Sequence, residues 1–336
     1  MRITIIFLLL SLSVAGCTAG RDAGAEAAAD TLAVRDTAEG AADSVPVDST
    51  SRIEIRKELL YDRHTLGDSY PYRDTVRVFQ WDKIRDGLVR VERMQREPAR
   101  WAILRNYKNR NGEAPLVRDY RRNAYNRIAD TAGVERYQSV PLYLPGDTTM
   151  PVRYEHDGSP VRVTGDEGSF ARVETINFGG RWLVPKRYLR VLPDSTVFDR
   201  VVFVDRTNQN IAALEKSEDA WLVRSMNPAT TGLHRPPYQQ ETPLGLFVVQ
   251  QKKPKMIYLK DGSAETGGFA PWASRFSDGG YIHGVPVNAP ATALIEYSPS
   301  LGTTPRSHMC VRNATSHAKF IYDWAPAERS LVFVVE

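Results

Sequence analysis

Cysteine is scarce in this chain: two in 336 residues, at positions 17 and 310. A scaffold stapled by several disulfides is therefore excluded. Long apolar runs are also missing. The longest, residues 5–12, is broken by Ser11 and is far short of the roughly 20 residues that a membrane-spanning helix needs. No internal repeat is visible, which argues against a solenoid or propeller. No Cys/His pair has the spacing of a zinc site, so neither a metal nor another cofactor is expected. Residues 18–51 have almost no aromatic or branched apolar side chains and cannot bury enough surface to offset chain entropy, so a disordered tether is expected there. What remains of the chain is long enough for two or three folded units with cores of their own.

The first 17 residues have the layout of an export signal: a positive start at Arg2, a short apolar stretch, then small residues. The run Leu12-Ser13-Val14-Ala15-Gly16-Cys17 resembles the lipobox of bacterial lipoproteins. That resemblance implies cleavage before Cys17, a membrane attachment through lipid on its thiol, and a place in the cell envelope on the periplasmic side of the outer membrane. Cys310 would then have no disulfide partner, and a lone thiol in an oxidising compartment has to be either buried or used. Charge is segregated as well. Residues 18–50 carry two arginines against seven acids, a net of −5, which leaves +8 on residues 51–336. A basic body suits a polyanionic wall or its acidic peptides, and an exported protein is not expected to meet nucleic acid.

Along that body, residues 52–137 read as a helical region. Ile84, Leu88, Val91, Met94, Trp101 and Leu104 recur at roughly helical intervals, with Pro98 as an interruption, and a second helix is expected over 115–132. From 138 to 195 the pattern changes to short strands separated by Pro145-Gly146-Asp147, Asp157-Gly158, Gly165-Asp166 and Gly179-Gly180. This spacing predicts a small barrel, and Trp182-Leu183-Val184-Pro185 with Tyr188-Leu189 resembles bacterial SH3-like domains. Residues 198–336 read as mostly β, with one helix over 314–324, Asn313 as its N-cap and Cys310 just ahead of its N-terminus.

Two segments of this last part carry the chemistry: Tyr281-Ile282-His283-Gly284 and Arg306-Ser307-His308-Met309-Cys310-Val311-Arg312-Asn313. Together they resemble the L,D-transpeptidase catalytic domain (the YkuD domain), in which an upstream His is followed by Ser-His-Gly-Cys and usually an Arg two residues beyond. The stretch Glu241-Thr242-Pro243-Leu244-Gly245-Leu246-Phe247 is similar to that family's Thr-Pro-x-Gly-x-Phe. Together these readings predict a chain that is mainly β, with a helical N-terminal region and a small SH3-like barrel, and the resemblance adds a C-terminal transpeptidase-type β-sandwich with one or two short helices.

A free thiol is only a few per cent ionised at neutral pH and needs activation to attack an amide, which a neighbouring imidazole or a helix N-terminus can supply. Carried over, the family pattern makes Cys310 the nucleophile and His283 the base, oriented by the carbonyl of Gly284. The oxyanion would be held by N–H groups at Met309 and Cys310, and Arg312 and Asn313 would bind substrate. Ser307 and His308 support the loop, while His234 and His317 are expected in solvent. Two departures stand out. Met309 replaces the family's Gly and would be strained at a positive φ. The stretch 285–305 is long and rich in Pro, Ala, Ser and Gly, suggesting an enlarged loop beside the groove. The implied reaction is transfer of a peptidoglycan stem tetrapeptide through a cysteine-linked acyl-enzyme to an amine, by a monomer. Alternatives are an L,D-carboxypeptidase that uses water, a papain-like endopeptidase, which the His-before-Cys order disfavours, and a non-catalytic wall-binding lipoprotein.

Overall fold

Alternation builds the centre of the fold. In the strand Arg200–Asp205, Val201 and Phe203 face one side and Val202 and Val204 the other, and all four are buried. A strand that is apolar on both faces must be covered on both. It lies inside a six-stranded sheet whose order is Glu54–Lys57, Ala220–Pro228, Asn210–Ser217, Arg200–Asp205, Ser330–Val335 and Gly245–Val248. The computed structural model describes residues 53–96 and 98–336; the expected signal segment with Cys17 and the expected tether at 18–51 lie outside the described residues.

One face of this sheet packs on a second sheet, formed by Gln251–Leu259, Thr266–Ser277, Gly280–His283 and Val311–Arg312. Val202, Val204, Phe247, Phe276, Ile282, Val311 and Val332 share the core between them, closed at one end by Ile321 and Trp324 of the helix Thr315–Trp324. The other face is covered by the 16-residue helix Trp81–Arg96, which lays Ile84, Leu88, Val91 and Met94 against Val201, Phe203, Leu331 and Phe333. Each such buried side chain contributes about 2 kcal/mol of transfer free energy. Gly87 permits the close approach, because a Cβ there would sit 2.4 Å from the ring of Phe333.

The helical reading of residues 52–137 is corrected by these contacts. Among the described residues of this range one α-helix is present, and it belongs to the core of the C-terminal sandwich; Ile53 and Phe79 join it there, and the strand Glu54–Lys57 adds to the sandwich sheet beside Ala220–Pro228 in parallel register. Pro98 ends the helical pattern, and Arg100–Leu104, read as its continuation, is a strand with Trp101 to Leu104 all buried. Residues 115–132 form no helix: their only regular structure is a hairpin of Arg121–Arg122 with Ile128–Ala129, turned by Asn126 at φ +57°.

Arg100–Leu104 takes a place inside an antiparallel five-stranded sheet ordered Arg181–Pro185, Phe170–Thr175, Pro160–Glu167, Arg100–Leu104, Leu189–Val191. The boundary expected at 138 therefore cuts through a sheet. Among the described residues no helix is long and apolar enough to cross a membrane.

Candidate active site

The strands Gly280–His283 and Val311–Arg312 run parallel, with Ile282 opposite Val311 and His283 opposite Arg312. Ile282 and Val311 point into the core between the sheets, so the two-residue period turns Tyr281, His283, Cys310 and Arg312 to the opposite face. That face is the floor of a cleft of about 1090 Å³ lined by all four. Its walls are the strand Gln251–Leu259 on one side and residues of the 285–301 loop on the other.

His283 is 3% exposed. Its Nδ1 lies 2.6 Å from the carbonyl oxygen of Gly284. A carbonyl can only accept, so Nδ1 carries the proton and Nε2 keeps a free lone pair. Burial pushes the imidazole pKa down to about 4, so at neutral pH the ring is uncharged and able to take a proton. Gly284 is pinned in turn: its N–H donates to Pro271 O at 2.9 Å, and a Cβ would lie 2.8 Å from Thr315 Oγ1 and 2.9 Å from Pro271 Cγ.

Cys310 is 8% exposed, and its thiol donates to Gly279 O across 3.6 Å. Burial pushes its pKa up to about 11, against the opposing pull of a Tyr281 backbone hydrogen bond and the Arg312 charge. Among the described residues no hydrogen bond joins the sulfur to the imidazole. The resting pair is thus a neutral thiol and a neutral imidazole facing one cleft, rather than an ionised couple. A helix N-terminus does not supply the missing activation. The helix begins at Thr315 with Ala314 as its N-cap, and Glu296 Oε2 accepts from Ser316 N at 3.1 Å, which places a carboxylate on that end.

Asn313 is accordingly not the N-cap, nor does it line the cleft. It is fully buried, with its N–H on His283 O at 2.9 Å and its Nδ2 3.4 Å from Pro228 O. Its part is to hold the strand of His283, which corrects the expectation that it meets substrate. Met309 adopts φ +71°, a left-handed conformation that favours glycine and strains a methionine. The strain is locked in by two contacts, Met309 N–H on Gln240 O at 2.8 Å and Thr242 Oγ1 on Met309 O at 2.8 Å. Since the Met309 N–H is engaged by Gln240, it is not free to serve as the expected oxyanion donor.

Ser307 is buried and its hydroxyl donates to Cys310 O, closing the loop on itself. His308 is exposed at the rim, its Nε2 2.8 Å from Asp261 Oδ1. Arg312 makes no ion pair among the described residues; its Nε is buried without a partner, and burial lowers its pKa. His317, expected in solvent, is fully buried and bonds Ser225 Oγ at 2.9 Å. His234 is half-exposed but sits 2.6 Å from Glu241 Oε1.

The sequence reading missed Tyr107, Lys108 and Lys253, which also line the cleft. Tyr107 and Lys108 come from beyond the strand Arg100–Leu104, and the Tyr107 hydroxyl lies 3.3 Å from that of Tyr281. The cluster Asn106, Asn109, Asn111 and Gly112 was the available signal of a tight turn there.

Residues 199–334 match the model of the YkuD L,D-transpeptidase catalytic domain, and this part of the chain carries that domain. Among solved structures, an L,D-transpeptidase from Mycobacterium smegmatis is 17% identical, with 52% of this chain and 82% of that chain covered and a TM-score of 0.35. An L,D-transpeptidase from Mycobacterium tuberculosis H37Rv is 21% identical, with 52% and 77% covered and a TM-score of 0.34. No curated protein matches the chain.

Proposed function

We propose that this protein is a peptidoglycan L,D-transpeptidase in which Cys310 attacks a stem tetrapeptide, with His283 as the base. The carrying observation is that two distant segments place Cys310, His283 and Arg312 on one face of one strand pair, at the floor of one cleft. In the proposed sequence, His283 Nε2 takes the thiol proton as the sulfur attacks the carbonyl of the third stem residue. The Cys310 N–H stabilises the oxyanion, and the imidazolium returns its proton to the departing D-alanine amine. An amine acceptor then attacks the thioester, and its proton passes back through His283. The neutral resting pair suits this route, because burial opposes a standing charge on either group while the Tyr281 N–H and Arg312 favour negative charge on sulfur as it forms. Arg312, with no acid of its own, is positioned to bind a stem carboxylate.

The remaining expectations join this reading. Lipid on Cys17 would hold the enzyme in the cell envelope, with residues 18–51 as the reach between anchor and body. The five-stranded sheet would be the SH3-like module, extended by the strand Arg100–Leu104. The test is incubation of the full chain with a purified disaccharide-tetrapeptide and an amine acceptor. Release of D-alanine with formation of the new amide, both lost in Cys310→Ala, supports the activity. A wild-type protein that yields neither D-alanine nor product refutes it.

A further inference from the structure

The cleft floor is contributed by the catalytic domain, but one wall is not. Tyr107 and Lys108 enter from the N-terminal side of the chain on a turn that the surrounding structure holds tightly. Lys108 and Asn109 both adopt positive φ, +55° and +52°. Lys108 N donates to Gln138 Oε1 at 2.8 Å, and Asn106 N and Tyr107 N both reach Asp157 Oδ1, at 2.8 and 3.1 Å. Asp157 is itself fully buried and ion-paired with Arg275 of the second sandwich sheet, 2% exposed, whose guanidinium lies 4.3 Å from the Tyr107 ring centre. Two consecutive residues in this conformation cost on the order of 1 kcal/mol each and persist only when neighbours over-determine them. Here the neighbours are a buried network that joins the turn to the catalytic domain.

What this turn delivers is charge. Lys108 Nζ lies 5.5 Å from the Tyr107 ring centre and Lys253 Nζ 5.5 Å from that of Tyr281, so two ammonium groups flank the hydroxyl-paired tyrosines beside Cys310. Among the described residues neither lysine, nor Arg312, has a carboxylate partner. Asp261, the acid on the cleft, is taken by His308, and Lys260 by Glu265 at 2.6 Å. Three cations without a carboxylate partner among the described residues line the cleft that holds Cys310, a positive field that a neutral peptide would not answer.

We infer that Lys108, Lys253 and Arg312 form a carboxylate-reading wall that selects acyl donors whose side carboxylates are free over donors in which they are carboxamides, and that the turn at 107–108 makes the N-terminal module part of the substrate site. This deepens the transpeptidase reading and rests on it, so the test separates the two. Binding of two synthetic tetrapeptides, identical except that one has free side carboxylates and the other carboxamides, is measured on Cys310→Ala; turnover of the same pair is measured on the wild type. The expected result is at least tenfold tighter binding of the free-acid peptide. Lys108→Ala should cut that preference about three- to fivefold, the scale of a partly exposed ion pair, Lys108→Arg should restore it, and 0.5 M salt should shrink it. Equal binding of the two peptides, or a preference untouched in a folded Lys108→Ala protein, overturns the inference. Preferred binding of the free acid without turnover of either peptide upholds the wall and removes the transpeptidase reading instead.

Discussion

The floor and the rim of the cleft obey opposite electrostatics. On the floor, burial suppresses the charge of the cysteine–histidine pair: His283 is held down at about 4 and Cys310 up at about 11. At the rim, His308 and Asp261 sit 42% and 48% exposed, within reach of solvent and salt. The same kind of side chain, histidine, is therefore buried and neutral on the floor and solvent-exposed at the rim of the same cleft. The floor's chemistry depends on geometry that packing enforces, and substitutions there should cost orders of magnitude where rim substitutions cost small factors.

The largest effects test the floor. His283→Ala should lower turnover by about 10²- to 10⁴-fold, the usual worth of a positioned base. Steady-state kinetics with the melting temperature as a control reads it, and a loss under tenfold would place the base elsewhere. Gly284→Ala should follow, because its Cβ would meet Thr315 and Pro271 at 2.8 to 3.0 Å. A cost of about 1–3 kcal/mol in denaturant unfolding is expected, together with reduced turnover as the carbonyl that holds His283 is displaced. Unchanged stability and rate would show that this carbonyl is not a fixed support.

Acid should expose the floor's suppressed charges. His283 and His317 are both driven below the unfolded value of about 6.5 by burial, to about 4 and about 3. In that window the unfolded chain binds protons that the folded one refuses, so stability is full above about 6.5 and falls as pH drops toward 3. His156 works in the other sense. Burial opposes its charge, but Asp278 at 2.9 Å outweighs it and lifts the ring to about 9, so that contribution is lost as pH rises through 9. Thermal melting should accordingly be highest near pH 6.5 and drop by at least about 5 °C toward pH 4. A flat profile would mean the buried imidazoles titrate normally. Smaller still is Met309→Gly, which should gain up to about 1 kcal/mol by relieving φ +71°. Smallest is His308→Ala at the rim: under about 1 kcal/mol of stability in denaturant unfolding, because both partners of the His308–Asp261 contact are largely in solvent.

Much of the sandwich was readable because its strands advertise themselves. Val201 to Val204, Ile211 to Leu214 and Leu331 to Val335 are β-branched or alternating runs that need only local rules. The longest strand, Thr266–Ser277, was not read: two glycines and a proline break its pattern, and its burial comes from neighbours on both sides. Residues 100–104 were absorbed into a helical period because Trp101 and Leu104 are spaced three apart, a coincidence that partners at 160–163 and 189–191 override. In the site, Cys310, His283 and Arg312 came from the motif, since motif residues are close in sequence or carried by family likeness. Lys108 and Lys253 could not, as their place on the cleft depends on contacts that no local pattern encodes. Asn313 failed for a related reason: its side chain had a tertiary carbonyl to answer, and Glu296 from another loop took the helix end.

The central claim, that Cys310 becomes acylated with His283 as its base, is tested most directly by intact-protein mass spectrometry of the full chain after brief exposure to a carbapenem-type acylating probe or a tetrapeptide donor. The account predicts an adduct that maps to the peptide containing Cys310, forms at least a hundredfold more slowly in His283→Ala, and is absent from Cys310→Ala. An unmodified Cys310 in the wild type, or an adduct whose rate ignores residue 283, would contradict it.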